Sequence, residues 1–177
     1  NLFEPVLEIT SEEINKFEEK TGKTIIKISG ACGPVDQALK EAEIADNLGY
    51  DAVLLSPGGL NHLSEEEMIE RTRKVAGVIP VVGFYLQSAV GGRVFSYNYW
   101  SELCEIENLI AVKSAPFDRY QTLDVVRAAA MSSRSEDIAL YTGNDDNILV
   151  DLLTEYNFRK EGEIIENLNS PDACRTQ

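Results

Sequence analysis

The sequence is poor in the residues that most often build metal centres and nucleophilic triads. It has one histidine and three cysteines in 177 residues. The histidine is His62, in a polar turn, so a Ser-His-Asp triad and a multi-histidine metal site are both disfavoured. Cys32, Cys104 and Cys174 are odd in number and lack C-x-x-C spacing, which suggests neither a disulfide framework nor a zinc site. No apolar run reaches the length of a membrane span, and the first residues lack the basic and apolar regions of a signal peptide. Basic residues are also scarce: 16 Lys and Arg stand against 30 Asp and Glu, for a net charge of −14. A nucleic-acid binder must neutralise phosphates with Lys and Arg, so this balance argues against nucleic acid, and equally against an anionic membrane. It fits a soluble, cytoplasmic protein.

What is present is a rhythm of strand and helix. "TIIKISG" (24–30) is a β-branched run ending in Gly, and "PVDQALKEAEIADNLG" (34–49) opens on Pro and closes on Gly with Ala38, Ala42 and Ala45 at helical spacing. "DAVLLSPGG" (51–59) is the next strand and turn. "SEEEMIERTRKVAG" (64–77) is a Ser-capped helix with acids in its first turn. Strands 80–86, 109–115 and 137–143 alternate with helices 96–106, 119–131 and 146–156. Upstream, Thr10 or Ser11 is expected to cap a helix running to about residue 21.

Strand starts near 24, 51, 80, 109 and 137 fall about 28 residues apart. Strict alternation implies a parallel sheet, and apolar strands without polar alternation imply cover on both faces. A (β/α)8 barrel and an open doubly wound sheet both fit; the even period favours the barrel. No G-x-G-x-x-G follows the first strand, which weakens a dinucleotide-binding reading. A whole barrel needs roughly 200 to 250 residues. The expectation is α/β, a (β/α)8 TIM barrel with about five units in this chain, over residues 1–158. Residues 159–177 form a polar tail with no convincing eighth strand.

"LIAVKSA" (109–115) places a lysine in an apolar strand. Alternation puts Leu109, Ala111, Lys113 and Ala115 on one face and Ile110, Val112 and Ser114 on the other, with Lys113 near the C-terminal end where barrel enzymes keep their active sites. Tyr85 lies one period earlier, so it is expected beside Lys113 at the same height, with small Gly83 leaving room. A neutral amine attacks a ketone to form a Schiff base, whose iminium stabilises a neighbouring carbanion. An apolar surround favours a neutral amine, and a phenol nearby can move the required protons. The same spacing also fits a lysine reaching for solvent beside a core tyrosine. Ser56 and Ser114 lie near strand ends, where they can hydrogen-bond a ligand.

"PVVGFYLQSAVGG" followed by "NLIAVKSAPFDRY", with "YDAVLLSP" and "LYTGNDDNILVDLL", resembles the dihydrodipicolinate synthase / N-acetylneuraminate lyase family. The resemblance covers about residues 2–156. It implies a (β/α)8 barrel and a class I aldolase or lyase acting on pyruvate or another small 2-oxo acid, often as an oligomer. It implies no cofactor beyond the covalent imine. Lys113 would form the imine, Tyr85 would shuttle protons, and Gly143 would line the substrate mouth. The first two strands would precede this sequence.

This chain departs from the family pattern in places. "SPGGLNH" stands where a Tyr-Tyr pair is usual, and Val90 where the synthases place an arginine. Arg93 could bind a carboxylate instead. These departures leave open a non-catalytic ligand-binding or regulatory barrel, and a phosphate-binding barrel using "GNDDN" and "VGGRV" as backbone nests. The Asn and Asp of "GNDDN" read as helix caps rather than as a metal site. Lys27 reads as structural, paired to an acid on a neighbouring strand. "FSYNYW" (95–100) reads as helix packing or a subunit contact.

Overall fold

The computed structural model describes residues 2–160 and 163–166. Helix α1 (Phe3–Thr21) ends where Gly22, at φ 68°, donates its N–H to Glu18 O at 2.8 Å. The helix begins well before the expected cap. Thr10 and Ser11 lie inside it, with Thr10 Oγ1 donating to Val6 O and Ser11 Oγ to Leu48 O. Hydroxyls satisfied on carbonyls in this way do not mark a helix end.

Strand β1 (Ile28–Ala31) starts later than expected. The Ile25 and Lys27 N–H groups donate to Glu18 Oε1 and Asp51 Oδ2, so side-chain carboxylates take the place of a ladder. There follow α2 (Val35–Asn47), β2 (Ala52–Leu55), α3 (Glu65–Ala76), β3 (Val81–Leu86), α4 (Tyr97–Cys104), β4 (Leu109–Ala115), α5 (Arg119–Met131), β5 (Ala139–Thr142) and α6 (Ile148–Leu153). Local chemistry sets several of these starts. Ser64 and Glu67 form a reciprocal capping box at α3, Ser96 accepts from Tyr99 N at α4, and Asp118 accepts from Gln121 N at α5. Each such cap contributes about 1 kcal/mol.

The five strands form one parallel sheet in the order β1-β2-β3-β4-β5. One face is covered by the helices. Val53, Val81, Tyr85, Leu109 and Val112 pack there with Met68, Val75, Trp100, Leu103 and Val125. On the other face, called here the open face, Ala52, Val82 and Ala111 cluster with Leu54. Among the described residues, no further strand pairs with β1 or β5. Strands β6 (Asn157–Lys160) and β7 (Glu163–Glu166) form a separate antiparallel hairpin that crosses the expected boundary at residue 158. The rest of the expected tail lies outside the described residues. Among those described, no helix is long and apolar enough to cross a membrane.

One irregularity governs everything that follows. Val81 pairs with Leu109, but Val82 pairs with Ala111, so Ile110 is an extra residue in β4. Leu109 and Val112 therefore both face the helices, while Ala111 and Lys113 face the open side. An inserted residue of this kind shifts the pairing downstream by one and exchanges the partners.

Within residues 95–100, Phe95, Tyr99 and Trp100 are buried packing residues: Phe95 and Trp100 contact Tyr85, the latter at 4.7 Å, and Tyr99 stacks on Phe95 with the rings 4.1 Å apart. Burial pushes the pKa values of this layer upward. The Tyr85 phenol rises to about 12 from 10.0. The Cys104 thiol rises to about 12 from 9.0, chiefly by burial and next by the Glu105 charge. Tyr99 rises further, also by burial. All three stay neutral in the fold at a pH where the unfolded chain has begun to lose those protons. The stability they contribute is whole below pH 9 and is lost as the pH climbs toward 12. Urea midpoints measured at pH 8.5 and 10.5 are therefore expected to fall at the higher pH, and an unchanged midpoint would contradict it.

Candidate active site

Lys113 stands on the open face, third from the end of β4, and is half-buried. Its neighbours follow from the register. Phe84 on β3 and Tyr141 on β5 are its cross-strand partners, so Phe84, Lys113 and Tyr141 form one row across three strands. Lys113 Nζ lies 5.1 Å from the centre of the Phe84 ring. Among the described residues, no carboxylate is within ion-pair distance of Lys113. The amine is thus held over an aromatic face rather than neutralised by an acid.

Gly143 closes the row from the side. Its N–H donates to Ser114 O at 2.7 Å. A Cβ at this position would come within 2.8 Å of Ala115 Cβ and 3.1 Å of Lys113 Cε. The position therefore admits only glycine without displacing the lysine. This is the residue that the resemblance assigned to the substrate mouth, and it lies against Lys113.

Tyr85 is not brought together with Lys113. It pairs with Ser114, points to the helix-covered face and is 1% exposed. Its Oη donates to Gln121 Oε1 at 2.8 Å and accepts from Phe95 N at 3.4 Å. The expected side-by-side pair is corrected by the extra Ile110, which exchanges Phe84 for Tyr85 as the partner of Lys113. Gly83 is corrected for the same reason. Its missing side chain makes room for Leu103, Leu109 and Val112 under the helices, not for Lys113.

Ser56 follows β2 at the same end of the sheet. Its Oγ accepts from Gly58 N at 3.2 Å, and its carbonyl accepts from Arg71. Arg93 is clasped by the fold: one guanidinium nitrogen donates to Leu63 O at 2.6 Å, and the group lies 5.2 Å from the Phe95 ring. Lys27 is structural, as expected, but its partners are Ser11 Oγ and Asn15 Oδ1 on α1. His62 is exposed.

The "GNDDN" turn departs from the expected cap. Asn147 stands at the start of α6 without a side-chain cap bond. Asn144 instead fastens two loops together. It is 3% exposed; its Oδ1 accepts from Phe117 N, and its Nδ2 donates to Thr122 Oγ1 and Asp151 Oδ2. Phe117, at φ 56°, sits in a left-handed conformation that this bond helps hold. Asn144→Ala removes these bonds inside a buried site, where each unsatisfied partner costs about 1–3 kcal/mol. A fall of that order in unfolding free energy is expected from urea titration; a surface-like change below about 0.5 kcal/mol would contradict it.

Several amides of the backbone nests considered for phosphate are already bonded within the chain. Gly92 N donates to Gln87 O, Gly91 N to Ser88 O, and Asn144 N to Thr142 Oγ1. Among the described residues, no group of three or more His, Cys, Asp or Glu is placed to hold a metal ion.

Sequence reasoning passed over Arg71. It is buried in α3 and ties two loops at this end of the sheet, donating to Gly33 O at 2.9 Å and Ser56 O at 3.1 Å. Burial lowers its pKa from the usual value. The signal was present: Met68, Arg71, Thr72 and Val75 share the core stripe of α3 at helical spacing. Phe84 and Tyr141 were missed because nothing in the chain announces the extra residue in β4.

A parallel sheet with helices in alternation, one face covered by them and the other open, is the architecture of a segment of a (β/α)8 barrel, with Lys113 near the C-terminal end of one strand. The Dihydrodipicolinate synthetase family model matches residues 6–155, and the chain belongs to that family. It is 25% identical over 130 residues to a 4-hydroxy-tetrahydrodipicolinate synthase of Alkaliphilus oremlandii, covering 72% of this chain and 43% of that protein. It is 35% identical over 106 residues to a protein of Acinetobacter baumannii described as a probable 5-dehydro-4-deoxyglucarate dehydratase, covering 59% and 34%. The fold matches a chloride-inhibited dihydrodipicolinate synthase from Acinetobacter baumannii, crystallised with pyruvate. That match has TM-score 0.66 at 22% identity and covers 83% of this chain and 50% of that one. The chain spans about half, or less, of the length of these relatives.

Proposed function

We propose that this chain carries the Schiff-base part of a lyase or aldolase acting on pyruvate or a related 2-oxo acid. The observation that carries the reading is Lys113: a lysine with no carboxylate partner among the described residues, near the C-terminal end of a barrel strand, set over Phe84 and against Gly143, where a Cβ would crowd it. Family membership supports the same chemistry. Lys113 Nζ attacks the keto carbon, water leaves, and the iminium then draws electrons from the neighbouring carbon. Gly143 lines the lysine, and Ser56 stands at the same end of the sheet just after β2, two strands from β4. Burial and its bonds to Gln121 and Phe95 give Tyr85 a supporting role behind the sheet instead of proton transfer. Arg93, held by Leu63 O, braces its loop. The imine needs no further cofactor. The natural protein is read as a cytoplasmic oligomer with a small-molecule partner and no nucleic acid or membrane.

The test is covalent trapping. The full natural chain is incubated with pyruvate and with other 2-oxo acids under borohydride, and the adduct is located by mass spectrometry. An adduct on Lys113 supports the reading, and its absence with every 2-oxo acid removes it. A second reading, a binding barrel without turnover, is favoured by Phe84 standing where a phenol would be useful. It predicts ligand binding by calorimetry that survives Lys113→Ala.

A further inference from the structure

An imine forms fast only where the amine is held in reach of the keto carbon, and a misplacement of about 1 Å can slow such a step about 10²-fold. What holds Lys113 therefore bears on its chemistry. One neighbour is the Phe84 ring. The other is the backbone of Gly143, so close that a Cβ there would lie 3.1 Å from Lys113 Cε. A glycine has no side chain with which to fix itself. Its N–H is fastened to Ser114 O on β4 at 2.7 Å. On its other side it is fastened through the residue that follows it, Asn144.

Asn144 is buried and uses both ends of its amide. Its Oδ1 accepts from Phe117 N at 2.9 Å, in the loop that follows β4. Its Nδ2 donates to Thr122 Oγ1 on α5 at 2.9 Å and to Asp151 Oδ2 on α6 at 2.8 Å. Asp151 Oδ2 also accepts from Thr142 Oγ1 at 2.7 Å, and Thr142 Oγ1 accepts from Asn144 N at 3.2 Å. Thr122 and Asp151 are buried as well, so the cluster is shut off from water by this chain's own residues. A buried network whose members are paired is rigid. Phe117 adds a second sign of constraint. A bulky residue at φ 56° stays there only where its surroundings impose it, and the bond from Asn144 is one such hold.

We propose that Asn144 is a positioning residue for Lys113: it locks together the loops that follow β4 and β5, and so fixes the Gly143 backbone against the lysine side chain. The inference deepens the Schiff-base reading above and rests on it. Asn144 touches no reacting atom and acts through Gly143. The amide is required because the site needs an acceptor toward Phe117 and donors toward Thr122 and Asp151 on one short side chain. An aspartate has the same shape but no N–H to give, and it would set a second carboxylate against Asp151.

The experiment measures borohydride trapping of pyruvate on Lys113 in the full natural chain and its variants, each held well below its own melting temperature. Asn144→Asp is expected to lower the maximal trapping rate about 10-fold to 10²-fold, with the half-saturating pyruvate concentration little changed. Asn144→Asp combined with Asp151→Asn exchanges carboxylate and amide. The carboxylate at position 144 then accepts from Phe117 N and from the amide at 151, whose oxygen accepts from Thr142 Oγ1. This double variant is expected to recover most of the rate. Thr122→Val removes one acceptor at nearly constant volume, and carries the test if Asn144→Asp does not fold; a smaller loss of the same kind is expected. A folded Asn144→Asp or Thr122→Val chain that traps at the wild-type maximal rate overturns the positioning role and leaves Lys113 standing. So does a double variant that regains the wild-type melting temperature without regaining the rate. A wild-type chain that forms no adduct with any 2-oxo acid overturns the Schiff-base reading, and this proposal with it.

Discussion

Lys113→Ala is expected to abolish the borohydride-trapped adduct completely and to reduce any turnover on the order of 10⁶-fold, as removal of a covalent nucleophile does. Lys113→Arg is expected to do the same. A guanidinium keeps the positive charge over Phe84 but is not deprotonated in proteins and cannot form the imine. The pair of variants therefore separates chemistry from electrostatics. If arginine retained activity, the lysine would be serving as a cation that holds an anionic ligand. An adduct that persisted in Lys113→Ala would direct attention to another amine. Lys27 is a poor candidate, since it is tied to Ser11 and Asn15 and lies before β1. The geometry favours the outcome at Lys113 because Gly143 and Phe84 hold its side chain from two directions.

Trp100→Ala is expected to cost about 3–5 kcal/mol of stability, read from urea unfolding. Trp100 is fully buried and is the largest side chain of the core. Its ring contacts Tyr85 at 4.7 Å, Phe95 at 5.6 Å and Tyr99 at 5.1 Å. Each such aromatic pair contributes about 0.5–1.5 kcal/mol beyond area burial. The cavity left by alanine opens directly behind Tyr85, beneath the strand that carries Phe84. Trp100→Phe is expected to cost much less, under about 1.5 kcal/mol, because most of the volume and stacking remain. The indole N–H has no protein partner among the described residues, so phenylalanine forfeits no hydrogen bond to the fold there. Equal losses for alanine and phenylalanine would contradict this account of the aromatic layer.

The contrast between these two residues marks how far the sequence could be read. The strand spanning Leu109–Ala115 and the helix spanning Arg119–Met131 were legible to the residue. Apolar runs and helical spacing are local signals, and hydrophobic burial enforces them. Strand β1 was legible as a strand but not in its start, because Glu18 and Asp51 carboxylates satisfy the backbone before it. The resemblance implied only that Gly143 lines the substrate mouth; its closeness to Lys113 is seen in the structure alone. Arg71 was hidden by its charge, although its place on the core stripe of α3 was visible.

By itself, then, the sequence determined the alternation of strand and helix, the parallel sheet that alternation requires, and a lysine near the end of its fourth strand. Those features depend on the order and spacing of residues along one chain. Only the tertiary structure decided which aromatic residues face that lysine. A period of 28 residues predicts alignment of Tyr85 with Lys113 only if both strands run without interruption. The extra residue at Ile110 breaks that condition, sends Tyr85 under the helices, and sets Phe84 and Tyr141 on either side of Lys113. A one-residue slip exchanges the faces of a strand, and slips are set by packing between strands, which no single strand encodes.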